Sequence, residues 1–240
     1  MIMNYEKTTT QELEKELLHL STKKDRESKK KYNEIDLYLC SLDNHRYEKK
    51  YHNLGYQLVA GVDEVGRGPL IGPVVACAVI LPKNYFLEGL TDSKKLSEKK
   101  RNQFYDIIQK DAISIGIGIV NNQKIDEINI YEATKIAMKT AIANLKTKPD
   151  AILTDAMKFD SNIPLEPIIK GDIKSITIAA ASVIAKVTRD KMMYELDKKY
   201  PMYNFKQNKG YPTKDHILAI KKYGILEEHR KTYGICKEYK

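Results

Sequence analysis

Cysteine is scarce in this chain of 240 residues, and its three copies are far apart. Cys40, Cys77 and Cys236 form no Cys-x-x-Cys pair, which argues against a disulfide framework and against a structural zinc site. The sequence also lacks an apolar signal core at its N-terminus, and no apolar run approaches the roughly 20 residues of a membrane helix. We therefore expect a soluble cytoplasmic protein with no membrane contact.

Positive charge is in excess and is unevenly distributed. The 41 Lys and Arg residues outnumber the 32 Asp and Glu residues, for a net charge of +9. Residues 1–55 hold 11 basic and 10 acidic side chains, whereas residues 198–240 hold 11 basic and 4 acidic ones. The C-terminal segment therefore favours a polyanionic partner, although a solvated lysine-rich surface would give the same count.

Two apolar runs, Leu58–Val62 and Val74–Leu81, enclose the most informative stretch of the sequence. Asp63 and Glu64 follow the first run, so they are predicted to end a buried strand, where a divalent metal ion would stabilise their charges. The next turn, Gly66-Arg67-Gly68, combines flexible backbone with a guanidinium and would fit a phosphate or sugar edge. Taken alone, the motif is equally compatible with a solvated Glu64 that pairs with Arg67.

The first 55 residues have a helical pattern. Thr9 and Glu12 have the spacing of a capping box, and leucines follow at helical intervals. After a polar gap the apolar stripe resumes at Tyr32. We predict a two-helix N-terminal arm over residues 1–55, without catalytic residues, whose stripe packs on the main domain, with a partner as the alternative.

The remainder, residues 56–240, alternates strand and helix patterns. Strands are predicted at Leu58–Val62, Val74–Leu81, Ala112–Val120, Ala151–Asp155 and from Ile168 into Lys170-Gly171-Asp172, and helices near Glu98, from Asn129, over 177–197 and over Lys214–Tyr223. Gly116 and Gly118 would allow close approach to the third strand. This order indicates an α/β domain with a mixed sheet and a basic, helical C-terminal segment at about 198–240.

Strand ends supply four carboxylates, namely Asp63, Glu64, Asp155 and Asp172. An open α/β sheet brings such ends into one crevice, and clustered carboxylates repel each other unless cations lie among them. Oxygen ligands of this kind select Mg²⁺ or Mn²⁺, and a pair of ions would support phosphodiester hydrolysis. A glycosidase needs only two of these acids, but that interpretation leaves the basic tail and the Gly66–Gly68 turn unexplained.

Four motifs together resemble a known family. They are Asp63-Glu64-Val65-Gly66-Arg67-Gly68-Pro69, Asp92-Ser93-Lys94-Lys95-Leu96-Ser97, Lys170-Gly171-Asp172 continuing through Ala179-Ala180-Ala181-Ser182 to Arg189-Asp190, and Asn208-Lys209-Gly210-Tyr211. In this order they resemble the type 2 ribonucleases H, specifically bacterial ribonuclease HII, over about residues 56–232. The resemblance implies a ribonuclease H-like fold, with a mixed central sheet flanked by helices. It also implies two-metal hydrolysis of RNA in RNA/DNA hybrids and at single ribonucleotides within duplex DNA.

The resemblance also assigns roles to residues. Asp63, Glu64, Asp155 and Asp172 match the catalytic, metal-binding carboxylates, and Asp172 favours this family over ribonuclease HIII, which usually has Glu there. The residues implied to contact substrate are Gly66, Arg67, Gly68, Ser93, Lys94, Lys209 and Tyr211, with Tyr211 matching the tyrosine that senses the ribose-to-deoxyribose junction. The segment Glu228–Tyr233 departs from the commoner His-Arg-x-Ser-Phe ending.

Other polar residues receive simpler interpretations. We expect Asp160 to be solvated, and His216 and His229 to lie on the surface or face phosphates, while Cys77 is interpreted as a small core residue. The substrate is expected to be an RNA/DNA hybrid or ribonucleotide-containing DNA, the cofactor Mg²⁺ or Mn²⁺, and the protein a monomer. Alternatives are a ribonuclease HIII-like hybrid nuclease, a non-catalytic nucleic-acid-binding protein of this fold, and a DNA-cutting nuclease with a similar metal cluster.

Overall fold

The computed structural model describes Tyr5, residues 8–94 and residues 96–239, so the first residues of the predicted arm and Lys95 of the second motif lie outside the described part. The strands are β1 (Val59–Val65), β2 (Val74–Ile80), β3 (Ser114–Val120), β4 (Ala151–Asp155) and β5 (Leu165–Ile168). The α-helices are α1 (Thr10–Ser21), α2 (Arg26–Leu42), α3 (Arg46–Asn53), α4 (Glu98–Asp111), α5 (Asn122–Ile128), α6 (Ile130–Ala143), α7 (Gly171–Lys174), α8 (Ile176–Lys199), α9 (Phe205–Asn208) and α10 (Lys214–Tyr223). Short 3₁₀ helices span Pro201–Tyr203 and Gly234–Tyr239.

The strands form one mixed sheet in the order β3-β2-β1-β4-β5. β1 is central and pairs antiparallel with β2 and parallel with β4, while β5 is parallel to β4. Because β1, β4 and β5 run in the same direction, their carboxyl ends meet at one edge of the sheet. This arrangement confirms the predicted mixed sheet and sets the position of the strand-end carboxylates.

Helices cover both faces of the sheet. On one face α6 buries Ala137, Met138 and Ala141 against the strands. A Cβ atom on Gly118 would lie 2.0 Å from the Ala137 carbonyl oxygen, so the predicted close approach to β3 is confirmed. On the other face α8 packs through its buried alanine run, Ala179 to Ala181, as expected for tight helix–sheet contact.

Three helices begin where capping residues predicted them. Thr9 and Glu12 form the complete capping box of α1, and the Ser97 hydroxyl accepts the Lys100 amide hydrogen at the start of α4. The Asn129 side chain accepts amide hydrogens from the first turn of α6. These local bonds satisfy backbone donors that would otherwise have no partner within the helix.

The bounds of several strands differ from the prediction, most of all those of β1 and β5. β1 continues through Asp63 and Glu64 to Val65, because these residues still pair with β2. β5 begins at Leu165 and ends at Ile168, and Asp172 lies in the one-turn helix α7 instead of at a strand end. The change of direction occurs at Lys170, whose φ of 58° is left-handed and cannot continue a strand.

The N-terminal arm has three helices in the described residues, not two. Leu13, Leu17 and Leu20 of α1 pack with Ile35 and Leu39 of α2 in a small core of their own. The prediction that this stripe packs on the main domain is therefore wrong, since the two apolar stripes cover each other. The arm instead reaches the main domain through other faces of α2 and α3, so the division at residue 55 stays a proposal. None of the described helices combines the length and apolar character that crossing a membrane requires.

Candidate active site

Four carboxylates lie at the shared edge of the parallel strands. The β1–β4 register pairs Val62 with Thr154, so Asp63 and Asp155, the next residues, are neighbours. The chain leaves β5, turns at Lys170 and enters α7, where the Gly171 N–H donates to Asp155 Oδ1 over 2.8 Å. That bond holds the start of α7, which carries Asp172, against the end of β4.

Burial makes this group of acids electrostatically unfavourable. Asp63 is 3% exposed, and burial, followed by the charges of Glu64 and Asp155, raises its pKa well above the ordinary range. Burial, with Asp155 and Asp92 nearby, raises the pKa of Asp172 to about 6. Burial also raises the pKa of both Glu64 and Asp155. Four ionised carboxylates therefore require additional positive charge.

The donors fit a divalent cation chemically. Glu64 Oε2 is buried and has no hydrogen-bond partner among the described residues, which is unfavourable for a carboxylate oxygen unless a cation binds it. In the described part of the chain, no three His, Cys, Asp or Glu side chains are already gathered in ligating geometry. An all-carboxylate oxygen set suits Mg²⁺ or Mn²⁺ after small side-chain adjustments.

The loop before α4 adds a cation and a fifth acid. Lys94 Nζ lies 3.8 Å from Asp172 Oδ2, and its side chain is 70% exposed. Partial burial lowers the pKa of Lys94, but the charges of Asp63, Asp92, Asp172 and Asp155 together raise it. Asp92 lies close enough to Asp172 for its charge to raise the Asp172 pKa further, a proximity that sequence reasoning did not predict.

Ser93 lies behind the carboxylates. It is 2% exposed and its hydroxyl is 2.9 Å from that of Ser182 on α8. The Ser182 side chain in turn lowers the pKa of Asp63, against the larger effect of burial. Ser93 therefore contacts the carboxylate group through α8, and its hydroxyl is not open to solvent.

Two buried arginines hold the Gly66–Gly68 turn and the chain after it. Arg230 is fully buried and donates to the carbonyl oxygens of Gly66, Arg67 and Gly72 over 2.6–3.0 Å. Arg189, also fully buried, donates to the carbonyls of Ile71, Pro73 and Lys209 over 2.9–3.1 Å. Gly66 has a φ of 96°, and a Cβ there would lie 2.4 Å from the Arg189 Nε, so only glycine fits.

Tyr211 lies beside this turn. A Cβ on Gly68 would be 3.3 Å from the Tyr211 ring, and the ring is partly exposed. The Gly210 carbonyl accepts the Leu70 N–H over 2.8 Å, which joins the two loops. The structure thus brings the predicted junction-sensing tyrosine and the Gly66–Gly68 turn together.

His216 and His229 do not lie on the surface, so that prediction is wrong. Both are fully buried, with their Nε2 atoms 3.2 Å apart. The Leu226 N–H donates to His229 Nδ1, which implies that His229 donates to His216 and that His216 donates to the Tyr211 carbonyl. Burial lowers the pKa of both rings, that of His229 to about 3, so both are neutral and support the Tyr211 loop.

Arg67 and Lys209, which were predicted to contact substrate, have their charged groups against other side chains of the protein. Arg67 Nη1 is 3.4 Å from Glu64 Oε1, a long ion pair with a half-exposed guanidinium. The Lys209 ammonium lies 4.0 Å from the centre of the Tyr194 ring.

The predictions for two other residues are confirmed. Asp160 is exposed and Cys77 is fully buried.

The sequence interpretation missed the arginines and the histidine pair. It treated the altered segment Glu228–Tyr233 as a possible loss of tail contacts, yet His229 and Arg230 within it make the buried contacts described above. His229 and Arg230 stand between the charged residues Glu228 and Lys231, so the local sequence contained no sign that their side chains are buried. The carbonyl partners of Arg230 lie more than 150 residues earlier in the chain, so local sequence patterns could not show these hydrogen bonds.

Comparisons with known proteins give a consistent result. A family model described as Ribonuclease HII matches residues 60–235. The chain is 58% identical over 197 residues to a Ribonuclease HII of Bacillus cereus, covering 82% of this chain and 77% of that protein. The ribonuclease H2 structure from Pyrococcus horikoshii OT3 matches with a TM-score of 0.63 and 27% identity, over 76% of this chain and 96% of that one.

A more distant likeness concerns the fold alone. Bst-RNase HIII, solved in complex with Mn²⁺, matches with a TM-score of 0.58 and 18% identity, over 78% of this chain and 70% of that chain. Together with the closer structural match, it confirms the predicted architecture of a mixed sheet flanked by helices.

Replacing Arg230 with lysine should destabilise the protein. Lysine keeps the charge but lacks the planar fork that reaches three carbonyls, so buried acceptors would lose their partners. We expect Arg230→Lys to lower the free energy of unfolding by roughly 2–4 kcal/mol. Urea denaturation would measure this, with the exposed Arg26→Lys as control. Equal stability of the two variants would show that the buried contacts contribute little.

Replacing Asp63 with asparagine should stabilise the metal-free protein at neutral pH. Because the folded state raises this pKa, the folded protein binds more protons than the unfolded chain, and stability falls as pH rises above the unfolded value. Asparagine removes this penalty, so Asp63→Asn should gain roughly 1–3 kcal/mol at neutral pH in a chelator, and nothing near about pH 4. Denaturation at both pH values would test this, with exposed Asp160→Asn as control. A less stable Asp63→Asn variant at neutral pH would contradict the repulsion argument.

Proposed function

Because this chain belongs to the ribonuclease HII family and is a ribonuclease H, we propose that it hydrolyses RNA in RNA/DNA hybrids and cuts on the 5′ side of single ribonucleotides in duplex DNA. The observation that carries this proposal is the group of four acids, Asp63 and Asp172 buried and Glu64 and Asp155 half-buried, beside the Gly66–Gly68 turn and Tyr211. The acids supply a metal-binding centre, and the turn and Tyr211 supply a surface beside it that can bind a sugar and a phosphate.

Members of this family depend on divalent metal ions. We assign Asp63, Glu64, Asp155 and Asp172 as the groups that hold Mg²⁺ or Mn²⁺, supported by their mutual charge effects and by the unpartnered Glu64 Oε2. When bound, a pair of such ions would supply an activated water and neutralise charge on the attacked phosphate. Lys94, close to Asp172, would partly neutralise the acids before binding and then contact a phosphate.

The orientation of the Gly66–Gly68 turn supports phosphate and ribose binding. Arg230 draws the carbonyl oxygens of Gly66 and Arg67 inward. In a trans peptide the carbonyl and the next N–H point in opposite directions, so the N–H groups of Arg67 and Gly68 point away from Arg230. Outward N–H groups next to a guanidinium form an anion-binding surface, and N–H or carbonyl groups there could read the 2′-hydroxyl.

Other residues would bind the substrate more generally. The basic C-terminal segment, 198–240, would contact phosphates on either side of the cut, which predicts strong salt dependence. Lys209 stays a predicted phosphate contact, although its ammonium would have to leave the Tyr194 ring. Ser93 would act by holding the Asp92–Lys94 loop through Ser182.

A cytoplasmic monomer remains our expectation for the state in which the enzyme works. The three cysteines are buried and free, which is compatible with a reducing compartment.

The cleavage products provide the first test. Duplex DNA with one embedded ribonucleotide, incubated with Mg²⁺ or Mn²⁺, should be cut 5′ of that nucleotide to leave 3′-hydroxyl and 5′-phosphate ends, because water attacks the phosphate. All-DNA duplex and Asp155→Asn protein serve as controls and should give no cleavage. A 2′,3′-cyclic phosphate product would exclude water as the nucleophile and contradict the proposal.

Tyr211 should matter most at isolated ribonucleotides. Its partly exposed ring beside Gly68 can hold the nucleotide next to the ribose. Tyr211→Ala should reduce kcat/KM at a single embedded ribonucleotide by roughly tenfold or more, corresponding to a loss of about 1.4 kcal/mol or more. A long RNA/DNA hybrid offers other registers and should lose less, and Tyr211→Phe should be milder. Equal losses on both substrates would reduce Tyr211 to a general packing residue.

A further inference from the structure

The N-terminal arm contacts the segment that follows Asp172. Lys174, two residues after Asp172, forms an ion pair with Asp36 of α2, with Nζ and Oδ2 2.5 Å apart and both side chains 3% exposed. The Tyr47 hydroxyl donates to the same Asp36 oxygen over 2.9 Å. The pair links two positions 138 residues apart and is closed to water.

Glu48 of the arm binds the next residues of the same segment. Its Oε1 accepts the Ser175 hydroxyl over 2.5 Å, the Thr177 N–H over 3.1 Å and the Thr177 hydroxyl over 2.7 Å. The Asn44 carbonyl accepts the Ile176 N–H over 3.0 Å. Lys174 to Thr177 are therefore all hydrogen-bonded to the arm, and the Glu48 carboxylate lies at the N-terminal end of α8, where the helix dipole favours a negative charge.

These contacts bear on the geometry of Asp172. α7 has only four residues, too few for a helix to be stable by itself, so its position depends on what binds its two ends. At its start Gly171 is bonded to Asp155. At its end Lys174 and the residues after it are bonded to the arm. Asp172 lies between these two attachments, 7% exposed.

Attachment of the arm to the main domain is a weaker explanation for these buried polar contacts. A buried ion pair is a poor source of net stability, since removing two charges from water offsets most of their attraction. The arm also has other links to the main domain, such as the exposed pair of Lys50 with Glu166 on β5 and the packing of Tyr51 near Val59. The buried polar links are instead concentrated on Lys174–Thr177, directly after a proposed metal ligand.

We propose that Asp36 and Glu48 of the N-terminal arm are positioning residues that fix the Asp172 carboxylate for metal binding. This inference rests on the proposed function, in which Asp172 is a metal ligand. Residues that orient a metal ligand affect metal affinity even though they do not touch the ion, and their loss typically lowers affinity by about 10–100-fold.

Direct Mn²⁺ binding to the full chain provides the test. Free Mn²⁺ can be followed by electron paramagnetic resonance for wild type, Asp36→Asn and Glu48→Gln, with Lys50→Met as the matched control that breaks a different link of the same arm. We expect the two positioning variants to bind Mn²⁺ at least about tenfold more weakly. Lys50→Met should bind like wild type. The metal concentration for half-maximal cleavage should rise by the same factor, while the rate at saturating metal largely recovers.

Circular dichroism and urea denaturation in the presence of a chelator check that each variant is folded. Asp36→Asn leaves the buried Lys174 charge without its partner and is the variant at risk of unfolding. Glu48→Gln keeps the size and one acceptor oxygen, so it decides the question if Asp36→Asn does not fold. Folded variants with wild-type Mn²⁺ affinity would overturn the proposal, as would an equal loss in Lys50→Met.

Asp172→Asn separates this inference from the proposed function. If Asp172→Asn weakens Mn²⁺ binding and the arm variants do not, only the positioning role fails. If Asp172→Asn itself binds Mn²⁺ like wild type, then Asp172 is not a ligand, and both the metal-site assignment and the positioning role fail.

Discussion

Repulsion among buried carboxylates is the constraint on which the rest of the structure depends. Parallel β1, β4 and β5 bring Asp63, Glu64, Asp155 and Asp172 to one edge, where burial raises the pKa of each acid. The surrounding groups offset this in part: Gly171 donates its N–H to Asp155, Ser182 lowers the pKa of Asp63, and Lys94 approaches Asp172. The metal-free fold therefore carries an unfavourable electrostatic energy that a bound divalent cation would remove. If these acids are the metal ligands that we propose, their arrangement favours cation binding at the expense of stability.

A second electrostatic feature distinguishes the Gly66–Gly68 turn, the proposed substrate-binding turn, from the group of acids. The fully buried guanidiniums of Arg189 and Arg230 direct their hydrogen bonds to carbonyl oxygens. Carbonyl dipoles satisfy the donors but, unlike a carboxylate, do not cancel the charge. Positive potential therefore persists beneath the Gly66–Gly68 turn, a few residues from a strongly negative group of acids. A nucleic acid backbone would be drawn to the turn while cations are drawn to the acids, so the two kinds of charge act on different parts of the same substrate complex.

Local signals in the sequence predicted much of this architecture. Capping residues placed the starts of α1, α4 and α6, apolar runs placed β1, β2 and β4, and strand-end acids indicated one shared edge. The failures involve contacts between distant positions. His216 and His229 were predicted to lie on the surface or face phosphates because they fall in a basic segment, and only the folded chain shows that each ring supplies the other's partner. β5 was misplaced because Glu166 and Pro167 break the apolar pattern of what is an edge strand, where both are tolerated.

The buried polar contacts of the arm fix its position more tightly than its apolar contacts do. Leu13, Leu17 and Leu20 would remain buried if α1 shifted slightly on α2, because apolar packing tolerates small displacements. The Asp36–Lys174 pair and the three bonds of Glu48 tolerate little displacement, since a small shift would leave buried charges and N–H groups unsatisfied. The position of the arm and the position of α7 are thus coupled. Asp172 lies on the four-residue helix α7, between β4 and the arm. Under the proposed positioning role, the part of the chain without catalytic motifs therefore sets the geometry of a proposed metal ligand.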